Sequence, residues 1–215
     1  DYITEYGIDG YRADTAKHIE EGVWGEFKKQ CNYTFATWKK NNPKKVLDNN
    51  GFYTTGEVSG YNISGGLYYD FGDKKVNYFA NGFNSLINFE FKNEAKKDYE
   101  SLFSFYSNKL QNELKGFGVL NYVSSHDDST PFDGKREKAI ESANKLLLAP
   151  GTAQVYYGDE SARSLVIEGT QGDATLRSFM NWDDIKKDPT TQKTLAHWQK
   201  LGQFRKNHPA VGAGV

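Results

Sequence analysis

Five β-rich runs separated mainly by helical stripes constrain the fold of this chain more than any other feature. The runs are residues 7–14, 52–58, 83–91, 119–123 and 153–157. After the first, apolar residues recur at Ile19, Val23, Trp24, Phe27, Cys31, Phe35 and Trp38. That spacing is helical, and Asn41-Asn42-Pro43 ends it. A second stripe runs through Tyr99, Leu102, Phe103, Tyr106, Leu110 and Leu114, stopped by Gly116 and Gly118. Ala139, Ala143, Leu146 and Leu147 mark a third helix before Pro150-Gly151, and Leu195, Trp198 and Leu201 a last one before Pro209. Strands alternating with helices imply βα units and a parallel sheet, so the fold class is α/β. Gly60–Gly66 reads as an exposed loop, with the aromatic stretch Tyr68-Tyr69-Asp70-Phe71 just beyond it. The long polar stretch from Gly158 to Asn181 shows no period; loops of that length are usually functional or mobile.

Polar chemistry collects where the β-rich runs end. Gly10, Arg12 and Asp14 alternate along the first run and share a face. Gly10 leaves room beneath a guanidinium, and a cation beside Asp14 favours its ionised form. An ionised, positioned Asp at a strand's C-terminal end is what a carboxylate nucleophile requires. The stretch alone fits a structural Arg–Asp pair equally well. Two further runs shift the balance, because Glu57 closes the second and His126-Asp127 the fourth. In a (β/α) barrel such ends converge on one face, where active sites lie.

The segments Gly10-Tyr11-Arg12-Ala13-Asp14-Thr15-Ala16-Lys17-His18, Gly56-Glu57-Val58 and Tyr122-Val123-Ser124-Ser125-His126-Asp127 resemble the short motifs of glycoside hydrolase family 13, the α-amylase family. Residues 151–160 are similar to the family's last-strand motif. Four motifs in the family's order are far more specific than any one of them. The resemblance implies a partial TIM (β/α)8 barrel, from the fourth to the eighth strand with the following helices. All 215 residues would then be the C-terminal portion of the catalytic domain. The upstream strands, the domain inserted after the third strand, the C-terminal β-domain and the early DxVxNH motif are absent from it. The chain is therefore expected to be part of a longer protein and, alone, to be inactive and prone to self-association through exposed strand edges.

By the same resemblance the activity is retaining hydrolysis of α-1,4-glucosidic bonds in starch-like glucans. The catalytic residues are Asp14 as nucleophile, Glu57 as general acid/base and Asp127 as the third carboxylate. Arg12, Lys17, His18 and His126 are the substrate contacts, although a solvated lysine at a helix start explains Lys17 equally well. The His18 backbone carbonyl would touch a calcium ion whose other ligands lie in the absent segments, so these residues alone should hold calcium poorly. Ser125 stands where the family commonly has Asn, which bears on a specificity contact and leaves the chemistry in place. An α-glucan transglycosylase and a non-catalytic carbohydrate-binding relative are the alternatives. A secreted or cell-surface location is favoured, with α-glucans or maltooligosaccharides as the substrate.

Composition narrows the classes further. A net charge of −1 leaves no basic footprint for nucleic acid. No apolar run reaches the roughly 18 residues of a membrane span. The single cysteine, Cys31, excludes an internal disulfide and falls on an apolar helical stripe, as a buried thiol would. Aromatic residues make up 15% of the chain, enough to fill a core and leave some to stack against sugar rings.

Overall fold

The computed structural model describes residues 1–215. The chain divides into two compact units, Asp1–Ile87 with Phe117–Val119, and Asn88–Gly116 with Leu120–Val215. The first contains α1 (Tyr2–Tyr6), β1 (Gly10–Ala13), α2 (Glu21–Asn41), β2 (Tyr53–Gly56), the two-stranded hairpin β3 (Tyr69–Asp70) and β4 (Lys75–Val76), and most of β5 (Ser85–Asn88). The second contains α3 (Phe91–Glu94), α4 (Tyr99–Gln111), the end of β6 (Gly118–Asn121), α5 (Ala139–Leu148), β7 (Thr152–Ala153), α6 (Trp182–Lys187), α7 (Pro189–Asn207) and α8 (Pro209–Ala213). The main sheet has five strands in the order β1-β2-β5-β6-β7. Parallel pairing is seen between β1 and β2, β2 and β5, and β6 and β7. No helix is long and apolar enough to cross a membrane.

In the first unit α2 packs on the sheet through its C-terminal half. Ile3, Cys31, Phe35 and Phe52 form a buried cluster, with Tyr11 and Trp38 packed against it. Each large apolar side chain buried there contributes roughly 1.5–3 kcal/mol. The N-terminal half of the stripe is less covered than its period implies: Ile19, Val23 and Phe27 stay exposed. Ile19 lies before the first residue of α2 and is outside the helical register. A polar tie adds to the packing of Trp24 on Phe83 here. Lys28 Nζ donates to the carbonyl of Phe52, to Thr54 Oγ1 (3.1 Å) and to Asn84 Oδ1 (2.6 Å), fixing α2 to two strand segments.

Cys31 is buried and unpaired. Burial pushes its thiol pKa up, against a smaller opposing pull from Lys28. Native protein should therefore react with a thiol reagent at least about tenfold more slowly than denatured protein. Rapid stoichiometric labelling under native conditions would contradict this placement.

The structure corrects several sequence expectations. Strand β1, which the run 7–14 leads one to expect as a short buried strand, is half-exposed, as fits the outermost strand in the sheet order. Gly10 is required for another reason than room for a guanidinium: a Cβ there would stand 2.9 Å from the Tyr53 carbonyl oxygen of the neighbouring strand. The Gly60–Gly66 loop is anchored, with Tyr61 and Ile63 buried and the Tyr61 hydroxyl donating to the Gly66 carbonyl (2.7 Å). The run 83–91 leaves the sheet at Asn88, and Phe91 opens α3. Strand β7 has only two residues, because the chain beyond it folds onto Asp159. Pro209 begins the short helix α8 as well as following α7.

Polar side chains tie the core of the second unit. Asn88 Nδ2 donates to Tyr106 OH and to Asn121 Oδ1, both 2.9 Å, and Asn121 Nδ2 donates to the Pro150 carbonyl (2.9 Å). The three side-chain bearers, Asn88, Tyr106 and Asn121, are buried, so these bonds satisfy groups that water cannot reach. Helices α5 and α7 meet through Trp198, whose indole N–H donates to the Ala139 carbonyl (3.1 Å). The segment 158–181 is held by Arg163, fully buried against Tyr157 and donating to the carbonyls of Tyr157 (3.0 Å) and Ser178 (3.2 Å).

Candidate active site

Asp14 directly follows β1, and Glu57 directly follows β2, its parallel neighbour. Their side chains meet at Arg12. Arg12 Nη1 pairs with Asp14 Oδ1, and Nη2 donates to Glu57 Oε2 (3.1 Å). One guanidinium thus bridges two of the three carboxylates that the sequence singles out. Glu57 is buried, whereas the Asp14 side chain is 65% exposed and open to an incoming molecule.

The backbone fixes Glu57 from both sides. Its N–H donates to the Ala13 carbonyl and its carbonyl accepts from Ala16, both at 2.8 Å. Thr15 N–H donates to Glu57 Oε2 (3.1 Å). Thr15 achieves this with φ of 48°, a left-handed conformation that is costly for a β-branched residue. Such strain persists only where its surroundings over-determine it. Here the turn after Asp14 is wrapped around Glu57. Sequence reading missed Thr15, since its amide works through backbone geometry that residue type does not signal.

Lys17 and His18 lie in a short 3-10 turn, Ala16–His18, just beyond. Lys17 Nζ donates to the Ser59 carbonyl (3.0 Å) and to Tyr69 OH (3.3 Å). His18 is exposed. No three His, Cys, Asp or Glu side chains gather in a metal-binding cluster. A single carbonyl at His18 does not make a calcium site, since calcium takes about six to eight oxygens.

Asp127 and His126 belong to the second unit and follow the C-terminal end of β6. His126 Nε2 and Asp127 Oδ2 are 3.5 Å apart, and Ser125 Oγ donates to Asp127 Oδ1 (2.9 Å). Arg177 Nε donates to the His126 carbonyl (3.1 Å). Behind this loop stand two buried ion pairs that the sequence did not reveal. Lys92 Nζ pairs with Asp128 and donates to Thr130 Oγ1 (2.6 Å). Asp128 Oδ2 also accepts from Tyr122 OH (2.7 Å). Burial alone would raise the Asp128 pKa, but the hydrogen bonds from Lys92 and Tyr122 outweigh it and hold the carboxyl below its ordinary value. In the second pair Asp159 meets Arg136 Nη1 at 2.8 Å and accepts from Ser124 Oγ. Complete burial pushes the Asp159 pKa up, against Arg136 and Ser124. Both pairs grip residues beside His126-Asp127, and neither partner of Asp128 or Asp159 is near it in sequence.

Carboxylates at the C-terminal ends of parallel strands in a βα sheet lie at the rim where (β/α)8-barrel enzymes build their sites. No protein-family model matches the chain. Among curated proteins it is 39% identical over 215 residues to the periplasmic α-amylase of Escherichia coli (strain K12), covering 99% of this chain and 29% of that protein. It is 30% identical over 224 residues to a cyclomaltodextrinase of a Bacillus species, covering 100% of this chain and 34% of that one. Among solved structures, a cyclic α-maltosyl-(1→6)-maltose hydrolase from Arthrobacter globiformis superposes with a TM-score of 0.62 at 22% identity, over 98% of this chain and 42% of that one. These curated relatives are enzymes of the α-amylase family, glycoside hydrolase family 13, and the parallel sheet with its helices is consistent with the C-terminal part of their barrel. The chain spans about a third of the length of the curated relatives it matches.

Proposed function

We propose that the protein carrying this chain is a retaining glycoside hydrolase that cleaves α-1,4-glucosidic bonds in starch-like glucans. The observation that carries this reading is the Arg12 guanidinium bridging Asp14 and Glu57 at the ends of neighbouring parallel strands. Two carboxyls held by one guanidinium are at short range, and retaining enzymes place theirs about 5–5.5 Å apart.

In the first step Asp14 attacks the anomeric carbon, the bond to the leaving oxygen breaks, and Glu57 gives that oxygen its proton. Two donors already occupy Glu57 Oε2, so Oε1 is the oxygen suited to carry the proton. In the second step Glu57 takes a proton from water, the water oxygen attacks the same carbon, and the ester to Asp14 breaks. Asp127 and His126 would hold ring hydroxyls of the sugar being cleaved, and Lys17 and His18 would face the leaving group. A calcium ion touching the His18 carbonyl would need its other oxygens from outside residues 1–215. An exported location is supported by the periplasmic relative.

The test is to follow the anomeric configuration of the first products from a maltooligosaccharide by NMR. The α-anomer should form first. Initial β-anomer would overturn the retaining mechanism, and products longer than the substrate would identify a transglycosylase. Binding without turnover would identify a non-catalytic relative.

A further inference from the structure

We propose that Trp24, in the first turn of α2, is a positioning residue for proton transfer by Glu57. The inference rests on the glycosidase reading and adds a residue to which that reading gives no part. The connection runs through the turn after Asp14. Trp24 Nε1–H donates to the Ala16 carbonyl at 3.0 Å. The N–H of Ala16 donates to the Glu57 carbonyl, and the N–H of Thr15 to Glu57 Oε2 at 3.1 Å. Ala16 is completely buried, and its carbonyl has one other donor, Ile19 N–H, at 3.4 Å. The indole is thus the shorter tie on a carbonyl that water does not reach.

The turn needs that tie. Thr15 is held at φ 48°, and a β-branched residue leaves the left-handed region once its neighbours let go. Its N–H would then turn away from Glu57 Oε2. Packing gives a second route to the same residue. The Phe83 ring lies against Gly56, directly before Glu57, so closely that a Cβ on Gly56 would stand 2.8 Å from Phe83 Cε1. Trp24 packs on Phe83 with centroids 5.3 Å apart and meets Phe27 edge-on at 6.0 Å.

One indole therefore backs the residue before Glu57 with its ring and fixes the turn that donates to Glu57 with its N–H. The consequence falls on the acid. Arg12 and Thr15 occupy Oε2 and so leave Oε1 to carry the proton. The Thr15 bond helps decide which oxygen is free and where it points. A proton donor works only within hydrogen-bond reach of the leaving oxygen, and a small displacement costs a large factor in rate. Loosening the turn should therefore penalise those bonds whose cleavage needs a proton.

Two substrates, tested on the full-length protein, separate positioning of the acid from general support of the fold. A maltooligosaccharide has an alkoxide leaving group that needs a proton, whereas fluoride departs from α-maltosyl fluoride with little help from an acid. Trp24→Phe keeps a ring against Phe83 and removes the indole N–H. It should lower the ratio of kcat/KM for the oligosaccharide to that for the fluoride about tenfold. Adding Thr15→Gly, which keeps the N–H and adopts the left-handed φ without strain, should recover most of the ratio. An equal loss on both substrates, with or without a lowered melting temperature, would mark the tryptophan as structural only and overturn the proposal. A lowered ratio that Thr15→Gly fails to raise would overturn the route through the turn. Wild-type protein inactive on both substrates would overturn the glycosidase reading and the positioning role together. Active wild type, with a ratio that Trp24→Phe leaves unchanged, would overturn the positioning role alone.

Discussion

Asp14→Asn is expected to remove glucan hydrolysis while leaving the fold intact, with a loss of more than about a thousandfold in kcat. The amide cannot form the glycosyl ester, and no other carboxylate shares Arg12 except Glu57, which is committed to proton transfer. Stability should barely change. The Asp14 side chain is 65% exposed, and its pairing with Arg12 is of the exposed kind worth about 0–1 kcal/mol. Melting of the variant should stay close to that of the parent protein. Glu57→Gln gives the complementary pattern. It should fail on maltooligosaccharides, whose alkoxide leaving group needs a proton, and lose far less on an aryl glycoside with a good leaving group. Retention of more than about a tenth of the activity by Asp14→Asn, with contamination excluded, would contradict the nucleophile assignment.

The strand-end carboxylates were legible because position and residue type coincide there. A β-rich run that ends in Asp or Glu, repeated along a βα chain, places the group at the rim whatever the strand's exact length. That is why Asp14 and Glu57 fall where the alternation puts them although β1 and β2 have only four residues each. Helix α2 was legible for a similar reason, since its period and its Asn-Pro stop agree. What remained hidden depends on partners distant in sequence. Lys92 meets Asp128 across 36 positions and Arg136 meets Asp159 across 23, and no local pattern marks either lysine or arginine as buried. The shortness of β7 has the same origin. Tyr156 N–H turns to the Asp159 carboxylate (3.2 Å) in place of a ladder partner. Tyr61 and Ile63 show the opposite failure, because a Gly- and Asn-rich composition suggested exposure while two apolar side chains anchor the loop.

Lys92→Met is expected to destabilise the protein by about 3–5 kcal/mol, because removing one partner leaves a buried charge uncompensated. Both side chains of the Lys92–Asp128 pair are only 10% exposed, which sets it apart from the surface pairs elsewhere in the chain. Asp128 follows Asp127 directly, so slackening its anchor should also lower activity. The double variant Lys92→Met/Asp128→Asn should recover much of the stability, since the amide needs no counter-charge, its single oxygen can accept from Thr130 N–H in place of Oδ1, and its NH2 can donate to the Tyr122 hydroxyl oxygen in place of Oδ2. The pH dependence fixes the cause. In the parent protein the Asp128 pKa is lowered, so its contribution is complete above the ordinary carboxylate range and is lost as pH falls through the lowered folded value. Without Lys92 two of the effects that lower the Asp128 pKa are gone, so burial weighs more, the folded value rises relative to the parent's, and this group costs the variant less on acidification than it costs the parent. The deficit of Lys92→Met, measured by denaturant unfolding, should therefore be largest at neutral pH and shrink in mild acid. A deficit below about 1 kcal/mol, the range of an exposed ion pair, or one that grows on acidification, would show that Asp128 is not held by this lysine.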